Sequence, residues 1–313
     1  PQQVDSSWFY LHDGRRVLNC DWGWYLADLN SSSWRDYWHR EILRQLRAND
    51  NDGVFMDSLS VPNYFGGSTF RPRLPDVDQG FERRWTESID QLLAWLQRKQ
   101  VGRRYYLVPN VGSWITSRDA TTYRRADGVM IEGFALEADD SPYALEDWQL
   151  QANRALALVS RNRAVIAQTY VTGRRERMFT TGTYLLIKGR RTFLNIDNGL
   201  DPEWWPEYDL PIGRAKQSAN RDIGNLYDSS TGVYRRQFSN GEVLVNPTSP
   251  YDETGKTVTV RLRRSLWLAR TRGGGGVPTS GRRPGRISYK KVRSVRVAPS
   301  SAAVLIRKRR TPR

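Results

Sequence analysis

The chain of 313 residues carries 49 Lys and Arg against 33 Asp and Glu, a net charge of +16, with one cysteine and two histidines. Cys20 alone excludes an intrachain disulfide and a cysteine-built zinc site, and His12 and His39 are too few for a multi-histidine metal centre. No apolar run reaches the roughly 18 residues of a membrane span, so neither metal, cofactor nor membrane insertion is expected.

The charge is uneven. Eighteen of the basic residues and none of the acids fall in 254–313, leaving 31 basic against 33 acidic residues in 1–253. The basicity is therefore a property of the C-terminal region. Such a surface attracts nucleic acid, anionic polymers or membranes, or is simply solvated.

In chain order, 8–19 reads as a β-hairpin turning at Asp13-Gly14. Residues 24–27 follow as a short strand ending at Asp28. Asn30 and the serines 31–33 cap a helix over 33–48, where Trp34, Trp38, Ile42 and Leu46 recur at every fourth position. A strand over 53–56 ends at Asp57. The loop 60–80, with Tyr64, Phe65 and Phe70, is longer than compact domains usually carry without a functional reason. A helix over 81–100, a strand over 105–108 ending at Pro109-Asn110, and a helix over 117–125 lead to a strand over 128–131 and Glu132. The alternation continues with a helix near 143–160 and a strand over 164–167 ending at Gln168-Thr169-Tyr170. A helix near 175–188 and a strand over 192–197 complete it.

Strands beginning near 24, 53, 104, 128, 164 and 191, alternating with helices, predict parallel pairing. A doubly wound sheet lacks its Gly-rich fingerprint here. Polar residues close nearly every strand, as around a barrel mouth. The expected fold is α/β, a (β/α)8 TIM-type barrel over 1–225, with its first two strands lying before Pro1 or replaced by 1–20. A small basic antiparallel β-domain over 226–313 follows. In it Asn240-Gly241 turns a hairpin, 256–262, 293–297 and 302–306 are strands, 273–276 form a flexible glycine tip, and 308–313 fray.

Two stretches share one pattern: Asp52-Gly53, an apolar run, then Asp57; and Asp127-Gly128, an apolar run, then Glu132. Burial asks for no carboxylate at either position. The pair suggests parallel strands delivering two acids to one rim. The bland alternative for each is a strand-end acid that caps a helix or pairs with an arginine.

The ordered motifs DLNSSSWRDYW, DGVFMDSL, YYLVPNVG, DGVMIEGF, RTFLNID and YRRQFSNGEVLVNPT resemble a glycoside hydrolase family with a TIM barrel and a C-terminal β-domain. They are more distantly similar to barrels of the endo-α-1,4-polygalactosaminidase type. The latter resemblance implies a catalytic pair, an Asp after the fourth strand and a Glu after the sixth, which match Asp57 and Glu132.

Glycoside cleavage needs an acid for the leaving oxygen and a carboxylate on the other side of the sugar. Asp57 is assigned as nucleophile and Glu132 as general acid/base, acting on a carbohydrate substrate. Asp28, Asn110, Gln168, Tyr170 and Asp197 are candidates for sugar hydroxyls; Trp22, Tyr64, Trp114 and Trp204 for stacking on sugar faces. Trp34, Trp38, Trp85 and Trp95 fall on helices and read as core. An extracellular, secreted location is expected, with no signal peptide in these residues. The alternatives are a non-catalytic carbohydrate-binding protein on a degenerate barrel, and a binder of anionic polymers through the basic C-terminal region. Specific nucleic-acid binding is not expected, because no nucleic-acid fold or stacking platform accompanies the charge.

Overall fold

The computed structural model describes residues 4–64, 66–200, 202–253 and 255–308. The expectations for Phe65 and for the chain end beyond 308 lie outside these residues. The chain separates into two compact units, Pro1–Met130 and Ile131–Arg313.

In the first unit, Asp13 and Gly14 both adopt positive φ (52° and 70°), which gives the expected hairpin between Leu11–His12 and Arg15–Arg16. Helix α1 (Ser32–Ala48) starts at Ser31, whose side chain accepts from the Trp34 amide. Helix α2 (Gln79–Arg98) starts at Asp78, which accepts from Phe81 N, and buries Phe81, Trp85, Ile89, Leu92, Leu93 and Leu96 along one face. Strands β1 (Gly53–Met56) and β2 (Tyr106–Pro109) pair in parallel, and β3 (Gly128–Glu132) begins in this unit through a parallel bridge between Asn110 and Met130.

Two expectations fail here. The strand near residue 24 is not a barrel strand: Trp24–Tyr25 pairs antiparallel with Leu18–Asn19, which pairs antiparallel with Phe70–Arg71. A two-residue strand carries no periodicity that fixes its direction, and the backbone bonds from Leu26 N to Val17 O and from Tyr10 N to Leu26 O decide it. The helix expected over 117–125 is absent. Thr116 accepts from Arg118 N and Asp119 from Thr121 N, so short side chains take the amides a helix would use, and Tyr123 sits at φ 46°.

In the second unit, β3, β4 (Ala164–Thr169) and β5 (Thr192–Ile196) form a three-stranded sheet, β4 and β5 in parallel register. Helices α3 (Leu145–Val159) and α4 (Arg174–Ile187) alternate with them. The architecture is mixed α/β. Among the described residues the parallel strands form a two-stranded and a three-stranded sheet, and no closed barrel.

The chain ends in an antiparallel sheet of β6 (Tyr227–Asp228), β7 (Val233–Phe238), β8 (Gly241–Asn246), β9 (Val258–Arg272), β10 (Arg286–Val297) and β11 (Ser301–Ile306), in the order β6-β7-β8-β11-β9-β10. One face packs on α4. The other closes over Val233, Leu244, Val260, Leu266, Val295, Val297 and Leu305. The glycines 273–276 are not a free tip: Gly275–Gly276 pairs with Glu203–Trp204, and a Cβ at Gly274 would lie 2.4 Å from the Trp205 ring.

Gly182 is where α4 meets the sheet; a Cβ there would stand 2.4 Å from the Ala302 Cβ and 3.0 Å from Val245. Overpacking costs about 1–3 kcal/mol, more than the roughly 0.5–1 kcal/mol alanine gains over glycine in a helix. Gly182→Ala is therefore expected to lower the urea midpoint, and pairing it with Ala302→Gly to recover part of the loss. A stabilised single variant would contradict this packing.

Candidate active-site carboxylates

Asp57 follows the last residue of β1 and is exposed. Its Oδ1 accepts from Asn110 Nδ2 at 2.8 Å and from its neighbour's amide, Ser58 N, at 2.9 Å. Asn110, itself buried, follows β2, and its Oδ1 accepts from Gly112 N, so its amide is aimed by a turn. Ser58 adopts φ 54°, a left-handed conformation that a residue with a Cβ holds only at a cost. Among the described residues no ion pair engages Asp57. Neither bland alternative, helix cap or arginine partner, describes it.

Beside Asp57 lies a groove of about 410 Å³. That volume falls in the range of small-molecule sites. Trp24, Tyr25, Trp34, Trp38 and Phe55 supply aromatic surface to it, and Asp57 and Ser58 its polar end. Trp34 and Trp38 are half-buried, not core. The 3.6-residue spacing put them on one helix face but says nothing of whether that face is covered.

Glu132 ends β3, is half-buried, and accepts a hydrogen bond from the Tyr170 hydroxyl. The turn after it is fixed from behind. Tyr143 Oη donates to Gly133 O at 2.6 Å, and Gln151 both accepts from Ala135 N and donates to Gly133 O. Near the end of β4 and still within its backbone pairing, Gln168 donates to Asp197 Oδ2 at 3.2 Å and accepts from Asn195 Nδ2 at 2.6 Å. Glu132, Tyr170, Gln168 and Asp197 thus form one polar cluster at the carboxyl ends of β3, β4 and β5. Glu203 joins its edge: Asn198 N donates to it, burial pushes its carboxyl above the usual range, and Asp197 adds to that push. Sequence reading missed Glu203, Tyr143 and Gln151. Glu203 stands between a Pro and two Trp residues, and the other two fall in the helix expected near 143–160.

The remaining candidates are placed as follows. Asp28 turns the chain into α1 by accepting from Asn30 N, and borders a cavity of about 140 Å³ with Tyr10 and Arg84. Trp22 is 74% exposed, held by its amide on Asn19. Tyr64 spends its hydroxyl on the Ile115 amide and its carbonyl on Arg118. Trp114 is only 1% exposed, edge-on to Tyr123, so it cannot stack on a ligand. Trp204 has the Arg283 guanidinium over its ring at 4.4 Å, which fills that face.

Burial first, and the bond to Glu132 next, push the Tyr170 phenol up to about 12 from the ordinary 10.0. Tyr170 is therefore a neutral donor across the working range. The folded state keeps this proton where the unfolded chain has lost it. The associated stability is complete below pH about 10 and lost as the pH rises toward about 12, a window shared with Tyr208. Tyrosinate absorbance titration is expected to show one fewer late-ionising phenol in Tyr170→Phe. An unchanged late fraction would contradict the assignment.

Residues 2–242 match the profile of hypothetical glycosyl hydrolase family 15. No curated protein matches the chain. Among solved structures it is similar to a noncanonic maltogenic alpha-amylase, AmyB from Thermotoga neapolitana, at 12% identity and a TM-score of 0.37, covering 95% of this chain and 71% of that one. The profile match spans more than half of the 313 residues: the chain belongs to hypothetical glycosyl hydrolase family 15 and is glycoside hydrolase-like.

Proposed function

We propose that this protein hydrolyses O-glycosidic bonds in a poly- or oligosaccharide, on a barrel-type arrangement of its parallel strands, with Asp57 as nucleophile and Glu132 as general acid/base. The observation that carries the reading is Asp57: an exposed carboxylate at a strand end, held by the Asn110 amide beside an aromatic groove. A surface acid with no structural duty tends to rotate freely or find a cation. This one is aimed by a buried side chain and a strained neighbour, the usual signature of strain kept for a functional purpose.

In the mechanism, the Asp57 carboxylate attacks the anomeric carbon while Glu132 protonates the departing oxygen; Glu132 then takes the proton from the water that releases the sugar. Asn110 fixes one Asp57 oxygen and leaves the other, Oδ2, for the sugar. Tyr170, a neutral donor, orients Glu132 through Oε1. The aromatic faces of the groove suit the C–H faces of pyranose rings. Gln168 and Asp197 offer the donor and acceptor groups that sugar hydroxyls require. Secretion fits a polymeric substrate and belongs to the same proposal.

A glycan-library hydrolysis screen tests the reading. Asp57→Asn and Glu132→Gln are each expected to lower kcat by at least about a thousandfold with the thermal midpoint nearly unchanged. Asn110→Ala is expected to lose roughly ten- to a hundredfold through mispositioning. Wild-type rates in Asp57→Asn would refute the nucleophile. Saturable glycan binding without turnover on any substrate would instead favour the binding-protein reading.

A further inference from the structure

The second unit holds a groove that the hydrolytic chemistry does not use. It measures about 710 Å³ and opens at one end of the antiparallel sheet, where β7, β8, β9 and β11 end or bend. We infer that it binds an anionic oligosaccharide, carboxylate- or sulfate-bearing, as an accessory site.

The groove is built by a register fault. Between β9 and β10 the pairing runs Arg261 with Ser294 and then Leu266 with Val292, so the four residues 262–265 stand opposite Arg293 alone. Such a bulge bends a strand and re-aims its side chains. Here it carries Arg263 and Arg264 to the groove wall, where Arg307 joins them just beyond β11.

The charge balance of the lining is positive. Arg235 forms a two-pronged bond with Glu242 (2.8–3.0 Å) and lies 3.6 Å from Asp228, so both carboxylates of the groove share one guanidinium. Arg263, Arg264 and Arg307 carry no ion pair among the described residues. Three guanidinium groups thus line a concave wall whose acids are already engaged. Guanidinium recognises carboxylate and sulfate with paired, directional hydrogen bonds.

The rest of the lining selects the class of anion. Tyr227 is half-exposed and braced against Tyr234 with ring centroids 5.2 Å apart, which leaves a face for a sugar ring. Gln237, also in the lining, is exposed and adds an amide for hydroxyls. A nucleic-acid site would instead spread its cations along a stripe and interleave them with several stacking rings. Here the cations converge on a pocket with one such ring.

Isothermal titration of the full chain with trigalacturonate, a heparin-derived tetrasaccharide, neutral galactotriose and a short DNA duplex tests the inference. Saturable one-to-one binding is expected for at least one of the two anionic glycans, with galactotriose roughly tenfold weaker or worse. The double variant Arg263→Gln/Arg264→Gln is expected to weaken that binding about tenfold or more, and Tyr227→Ala several-fold. Lys290→Gln/Lys291→Gln removes two exposed cations of the same sheet outside the groove and is expected to change little. Three results would overturn the site: no binding of either glycan, equal weakening by the lysine pair, or tighter binding of the duplex through the same arginines. Thermal midpoints of all variants separate lost binding from lost folding. Asp57→Asn should bind like the wild type, so this site and the hydrolytic assignment fail independently.

Discussion

A carboxylate on a chain with 49 cationic side chains has many ways to be neutralised, and among the described residues none of them is used at Asp57. The carboxylate is held instead by an amide. Asn110 is buried and its own oxygen is tied to a turn, so the donor it presents to Asp57 has little freedom. An arginine in that place would lock the oxygens and cancel the charge. A neutral donor fixes direction while leaving charge and access intact. In the second unit the Tyr170 phenol stands in the same relation to Glu132, and burial keeps it protonated. The geometry behind both is the parallel strand, whose carboxyl end releases its side chains into open space just where backbone pairing stops.

Around these acids the fold distributes labour. The parallel strands and their helices supply positioning, and the antiparallel sheet supplies a platform to which α4 is fitted so closely that Gly182 has no room for a methyl group. The positive charge noted in the C-terminal region is carried on that platform, mostly on exposed strand residues. It is not spread uniformly in function. Where the sheet is regular, the cations alternate outward into solvent; where the register slips at 262–265, they are gathered into a groove.

Much of this was legible in the residues. Asp-Gly followed by an apolar run and an acid marks a strand entry and a strand exit, and both copies hold in the structure as β1 and β3. Capping serines placed α1 to within a residue, and α2 lies within two residues of its expected range. What failed did so for physical reasons. Trp24–Tyr25 is too short for its pattern to tell parallel from antiparallel. Thr116 and Asp119 satisfy the local amides that a helix at 117–125 would need. The glycines 273–276 were read as freedom, whereas they permit close approach to Trp205. Trp34 and Trp38 sit on the expected face, but burial is decided by the tertiary neighbour, and next to Asp57 that neighbour is a groove. Glu203 carried no sequence signal, since its setting comes from a turn and from the nearby Asp197.

The central claim is that Asp57 acts covalently, and chemical rescue tests it most directly. In Asp57→Gly, on the glycan that the wild type cleaves, added azide should restore turnover and release a glycosyl azide, because the small anion fills the space left by the carboxylate. A variant that stays inactive with azide while remaining folded, or one that turns over without it, would contradict the account.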